Sequence, residues 1–149
     1  ARMTIVVPDA SVILKWVLQR PDEADFALAL ALLDAFVREK IEIRIPSLWR
    51  YEVGNILARK QPAAAVEAME SLLGCEFPEE PLHHDYCLAV LRFMHDLKHV
   101  SFYDVSYHVL ALRVNGLYIT ADREYMRIAR SKGSIALLSE WSPPVPPGH

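Results

Sequence analysis

The chain begins its pattern with a short β-branched apolar run, residues 4–7, of the kind that fills a buried strand. Asp9 follows, and residues 10–18 then take helical spacing. Asp22, Glu23 and Asp25 put negative charge ahead of the next segment, where a helix N-terminus favours it. That segment alternates Ala and Leu and so imitates the period of a strand. Both residues are strong helix formers, however, and the stretch exceeds a typical strand, so a helix to about residue 40 is predicted. Residues 41–45 alternate apolar and charged positions and predict a second strand. A helix over 48–60 follows with Ser47 as its N-cap, and a further one over 63–73 is closed by Gly74. Residues 75–77 read as a brief strand, 82–98 as a helix, and Ser101 opens a helix that ends near Asn115-Gly116. A strand at 117–120, a helix at 122–132 and a strand at 134–138 complete the series. Strand and helix alternate throughout, which predicts an α/β fold around a largely parallel sheet.

Composition narrows the setting without naming a chemistry. The 149 residues are 52% hydrophobic and 23% charged, a globular balance sufficient for one core, expected over 1–141. Residues 142–149 hold four prolines and are expected to form an extended tail. The longest apolar run, 26–33, is far short of the roughly 20 residues a membrane helix needs. No membrane association is expected, and with no basic, apolar leader in view the expected location is cytoplasmic. Cys75 and Cys87 lie twelve apart without a CxxC spacing, so reduced core thiols are expected. The net charge of −3 speaks against a protein that merely coats nucleic acid, though not against an enzyme that meets phosphates through a cation.

The acids supply the chemistry. In a parallel sheet the strands all end at one edge, and ligands bind there. Asp9 sits just past the first strand and Asp122 just past the strand at 117–120, so topology brings together two acids 113 positions apart. Both can also be read as helix N-caps. Asp104 fits a capping box begun by Ser101, which explains it without any catalytic role. Glu52 is different. It falls on the apolar stripe of its helix, four after Leu48 and four before Ile56, where a carboxylate is costly to bury uncompensated. Neither Arg50 nor Arg59 shares its i,i+4 face. Four carboxylates near one point would repel until a hard cation joined them, and an all-oxygen set suits Mg²⁺ or Mn²⁺.

Four segments now resemble a known family: Val7-Pro8-Asp9-Ala10-Ser11-Val12-Ile13, residues 46–57 around Glu52, Phe102-Tyr103-Asp104-Val105-Ser106-Tyr107, and Ile119-Thr120-Ala121-Asp122. In this order they resemble the PIN-domain ribonucleases, and within them the VapC toxins of prokaryotic toxin–antitoxin pairs. The resemblance implies a three-layer α/β/α fold with a five-stranded, mainly parallel sheet. It implies Asp9 and Asp104 as direct metal ligands, with Glu52 and Asp122 completing the catalytic cluster directly or through water. Ser11 and Thr120 match supporting polar positions behind those ligands. Ser106 and His108 depart from the plainer residues usual there, and His108 could touch substrate. The implied activity is Mg²⁺- or Mn²⁺-dependent hydrolysis of RNA, and the implied partners are a VapB-type antitoxin and a second copy of the chain in a homodimer.

Other readings remain open. Arg123, Arg127 and Arg130 could line an approach path for RNA or form a solvated helix face. His95 and His99, four apart, could serve a zinc hydrolase, but the Glu that usually follows the first His is absent and no third ligand is evident. A two-component receiver would pair acids after its first strand, and Asp9 has no acidic neighbour. A catalytically silent PIN module that binds RNA or protein is the main alternative.

Overall fold

The structure, a computed structural model, describes residues 3–145. Its strands are β1 (Ile5–Pro8), β2 (Glu42–Ile43), β3 (Ile45–Pro46), β4 (Glu79–Glu80), β5 (Leu117–Thr120) and β6 (Ile135–Leu137). Its α-helices are α1 (Ala10–Leu18), α2 (Phe26–Val37), α3 (Trp49–Lys60), α4 (Ala65–Gly74), α5 (His84–His95), α6 (Phe102–Arg113) and α7 (Arg123–Ala129). Four strands pair in the order β2-β1-β5-β6 and β3 pairs with β4, every pair parallel.

The two sheets are joined through one extended segment. Only Arg44 separates β2 from β3. The amides of Glu42 and Arg44 donate to Thr4 and Val6 at 3.0 and 3.1 Å, toward β1. Those of Ile45 and Ser47 donate to Pro78 and Glu80 at 3.1 and 2.9 Å, toward β4. Successive amides of an extended chain face opposite sides, so residues 42–47 serve as a single strand position with a neighbour on each side. The layer therefore has five strand positions, although the strand expected at 41–45 is split in two.

Helices cover both faces of this layer. Val6 and Val7 are adjacent and wholly buried, as are Tyr118, Ile119 and Thr120. Neighbouring side chains of a strand point to opposite faces, so burial of consecutive residues requires cover above and below. Helices α1 and α6 both pack on β1 and β5, α1 with α2, α3 and α4 behind it, α6 with α5. The result is the three-layer α/β/α arrangement. In α6 every residue from Val105 through Ala111 is buried, because the helix is enclosed between the sheet and α5.

Some local expectations hold and others change. The Ala/Leu stretch is helical, and Ala29, Leu32 and Ala35, three apart, form its buried stripe. Its neighbour α1 is pinned to it by Trp16, whose Nε1 donates to the Ala29 carbonyl at 2.7 Å. Ser47 is not the cap of α3: Leu48 takes that position and no side chain caps the helix. Gly74 lies inside α4, and the left-handed position falls at Glu76, φ 51°. Residues 75–77 are not a strand, because Phe77 is used as an apolar plug among Trp16, Phe36 and Trp49. The pairing with β3 occurs instead at the polar pair Glu79-Glu80, which join through backbone and so show no apolar pattern. At the other end of the sheet, Asn115 takes φ 57° and Gly116 passes so near β1 that a Cβ there would meet the Ile5 carbonyl oxygen at 2.7 Å. Residues 142–145 carry neither helix nor strand, and the rest of the proline-rich segment lies outside the described residues.

Candidate active site

The sheet order sets the location. β1 has β2 on one side and β5 on the other, so the chain changes direction between β1 and β5, and a crevice opens beyond their C-terminal ends. Asp9 follows β1 directly and Asp122 follows β5 by two residues. Each caps the helix that comes next. Asp9 accepts from the Ser11 and Val12 amides at 3.0 and 3.3 Å, and Asp122 accepts from the Tyr125 amide at 3.0 Å. Ser101 caps α6 by accepting from the Asp104 amide at 3.0 Å, which leaves the Asp104 carboxylate in the first turn to face the crevice. Glu52, in the first turn of α3, completes the set. All four acids line one cleft of about 360 Å³.

Asp9 is the anchor. It is 3% exposed, and both of its oxygens are occupied by donors from its own chain. Oδ1 receives the two amides and the Ser11 hydroxyl, while Oδ2 receives the Tyr118 hydroxyl at 2.7 Å and the Thr120 hydroxyl. Burial raises its pKa against the pull of those hydrogen bonds. Ser11 and Thr120 work in both directions. Ser11 Oγ also accepts from the Ala121 amide at 3.0 Å, and Thr120 Oγ1 from the Asp122 amide at 3.0 Å. Two hydroxyls thereby tie the end of β1 to the end of β5.

Glu52 and Asp104 titrate out of the ordinary carboxylate range. Glu52 is pushed up to about 7, first by burial and then by Asp104 and Asp9, against a 2.9 Å hydrogen bond from Tyr107. Asp104 is pushed up to about 6, first by burial, then by Asp9, with Ser101 opposing and Asp122 adding to the rise. The four carboxylates are thus electrostatically linked, and the protein alone does not neutralise them.

The donor set fits a hard divalent cation. All four side chains offer oxygen, each sits on the same cleft, and their mutual repulsion is what a cation relieves. Among the described residues no three His, Cys, Asp or Glu side chains close into a ready-made cage. Mg²⁺ does not require one, since it keeps several waters and takes one or two carboxylates together with substrate phosphate.

Other residues singled out from the sequence lie elsewhere. His108 is fully buried and does not reach the cleft. Its Nε2 donates to the Gly133 carbonyl at 2.7 Å, so its Nδ1 is free to accept from the Tyr125 hydroxyl at 2.8 Å. Burial lowers its pKa, and it is a structural tie in place of a substrate contact. Ser106 is buried as well and donates to the Tyr103 carbonyl at 2.6 Å. His95 ends α5 and His99 lies beyond it at φ 64°, so the two do not share a helical face and the zinc reading fails. Arg127 pairs with Glu124 and Arg130 with Glu140, and neither they nor Arg123 line the cleft. Arg50 is held by Glu79, which removes it as a partner for Glu52. Cys75 and Cys87 are free thiols. Sequence reasoning missed Tyr107 and Tyr118, the hydroxyl donors to Glu52 and Asp9. It also missed the basic side of the cleft, Lys15, Arg20, Arg59 and Lys60. For Arg59 and Lys60 a signal existed, since they lie seven and eight residues after Glu52 and return to its face of the helix.

No curated protein sequence matches the chain. Among solved structures it is similar to VapC20 of Mycobacterium tuberculosis, a sarcin-ricin loop cleaving toxin, at 16% identity and TM-score 0.61 over 82% of this chain and 93% of that one. It is similar to PAE2754 from Pyrobaculum aerophilum at 24% identity and TM-score 0.64, over 92% and 85% of the two chains. It is also similar to VapBC2 from Rickettsia felis, solved with a DNA fragment from its promoter, at 14% identity and TM-score 0.64 over 89% and 98%. At these identities the likeness carries the fold. The PIN domain family model matches residues 6–131, which takes in all four acids and most of the sheet, and the chain belongs to the PIN domain family.

Proposed function

We propose that this chain is a divalent-metal-dependent ribonuclease and the toxin of a VapBC-type pair, with Asp9, Glu52, Asp104 and Asp122 as its catalytic carboxylates. The observation that carries the reading is the convergence of four acids, from the ends of two strands and the first turns of two helices, on one cleft at the switch point of the sheet. The raised pKa values of Glu52 and Asp104 support it, because carboxylates left uncompensated by the protein are suited to a cation.

Asp104 and Asp9 would hold the metal, Mg²⁺ or Mn²⁺, with Glu52 and Asp122 acting directly or through bound water. A cation so held lowers the pKa of a bound water and neutralises charge on the scissile phosphate. The chain's own residues do the rest. Asp9 is fixed by five donors and cannot swing, so it sets the position of the site. Tyr107 orients Glu52, and Ser11 and Thr120 keep the two strand ends in register. Glu52, held by the Tyr107 hydroxyl on the same cleft as Asp9 and Asp104, would be placed to take up the proton released when water attacks.

A VapB-type antitoxin is part of this reading, supported by the likeness to VapBC2, and a homodimer is proposed with it. A cytoplasmic location belongs to it too, and no helix among the described residues is long and apolar enough to cross a membrane. We take residues 1–141 as one PIN domain and 142–149 as a tail. The test is cleavage of RNA by the purified chain with Mg²⁺, with chelator, and with Asp104→Asn. Products that require both the metal and Asp104 support the reading. Equal cleavage under all three conditions refutes it, and no cleavage beside retained RNA binding favours a silent binding module.

A further inference from the structure

The cleft is not uniformly acidic. Its other wall carries Lys15, Arg20, Arg59 and Lys60. Lys15 is already committed to Glu23 at 2.6 Å. Among the described residues no carboxylate lies within ion-pair distance of Arg20, Arg59 or Lys60, and all three are exposed. Arg59 and Lys60 close α3, whereas Arg20 follows the C-terminus of α1. Compensation of the two helix dipoles explains a cation at each end. It does not explain why both ends meet at one cleft that begins in carboxylates.

Spacing separates the two regions. Glu52 and Arg59 are seven residues apart on one helix, about 10 Å along its axis, and Asp9 and Arg20 flank the opposite ends of α1. Leu14 and Leu18 of α1 and Ile56 of α3 lie between those acidic and basic ends along their helices and line the same cleft. The cleft therefore offers acids for the reacting phosphate, an apolar wall, and then cations.

Resting on the ribonuclease reading, we propose that single-stranded RNA lies along this cleft, with a phosphate other than the scissile one held by Arg20, Arg59 and Lys60. Bases pass over the Leu14, Leu18 and Ile56 wall. These cations supply the attraction that an acidic site on a chain of net charge −3 otherwise lacks. Apolar side chains meet the faces of unpaired bases, which a duplex keeps stacked inside, and this favours a single strand.

The test is fluorescence anisotropy with a short oligouridylate in Mg²⁺, on the chain carrying Asp104→Asn so that the RNA survives. Arg20→Gln, Arg59→Gln and Lys60→Gln are added singly and together, and binding is followed over a range of salt. Leaving that phosphate without any of its three cations should flatten the slope of log affinity against log salt by about 0.7, and each single substitution should do so by less. The triple variant should bind at least about tenfold more weakly, with an unchanged melting transition, while Arg59→Lys should keep the slope. An unchanged affinity and slope in the triple variant, or no RNA binding by the Asp104→Asn chain, overturns the proposal. So does an oligoglutamate peptide that needs these cations while RNA does not, which assigns them to an acidic protein segment. Cleavage by the unaltered chain is measured alongside. Cleavage with an unchanged slope sinks only this inference, and a reduced slope without cleavage sinks only the catalytic reading.

Discussion

Glu52→Gln is the substitution for which the structure makes the sharpest thermodynamic statement. In the metal-free protein Glu52 rises from 4.5 to about 7, driven first by burial and then by Asp104 and Asp9. A folded-state pKa above the unfolded one means that the folded chain binds the proton more tightly. Below the unfolded value both states are protonated and nothing is lost. As pH climbs through the folded value, the folded state is left with a poorly solvated charge and stability falls. The rise corresponds to about 3 kcal/mol, and because the side chain is only half-buried, solvent screening should reduce this to about 2 kcal/mol. Glutamine keeps an acceptor for the Tyr107 hydroxyl and removes the charge. The variant should therefore match the parent chain near about pH 4 and exceed it by about 2 kcal/mol near about pH 8. That gap is about 4–8 °C in melting temperature for a chain of this size. The assay is thermal and urea unfolding in chelator across that range, repeated with Mg²⁺. Bound Mg²⁺ should stabilise the parent at high pH and shrink the gap, since it compensates the same charge. A gap that does not change with pH, or a variant less stable than the parent at high pH, would refute the electrostatic account.

Asp9→Ala should unfold more easily by about 3 kcal/mol, because it removes a helix cap and strands the buried Tyr118 and Thr120 hydroxyls. Loss of cleavage in that variant thus says little about chemistry, whereas Asp104→Asn should lose cleavage with no loss of melting temperature, since Ser101 still caps the helix. Gly116→Ala should cost about 2 kcal/mol in chemical unfolding, because the new methyl meets the Ile5 carbonyl of β1. His108→Phe should cost about 2 kcal/mol and speed amide exchange around residues 130–134, as the Gly133 carbonyl and the Tyr125 hydroxyl lose their partner. Exchange confined to other segments would count against that tie.

Much of this protein is written in local sequence. The β-branched run of β1, the apolar stripe of α2 and the Ser101 cap of α6 are decided by residues a few positions apart, and so they are legible without coordinates. Alternation of strand and helix determined a parallel sheet, and a parallel sheet brings Asp9 and Asp122 to one edge. Glu52 stood out because its apolar stripe offered it no local partner. The partner is Tyr107, fifty-five residues on, and no pattern within α3 could name it. The same limit explains the errors. Phe77 is apolar whether it fills a strand or plugs an aromatic cluster, and β4 is a pair of glutamates that only their backbone makes a strand. His95 and His99 keep helical spacing across a helix that has already ended. His108 is a core tie and Arg127 a surface pair because of what tertiary packing sets beside them. Sequence alone determined which residues could carry charge or oxygen to the end of each element. Which of those charges share a cleft was decided only in three dimensions, because the contacts that settle it join residues distant in the chain and leave no period behind.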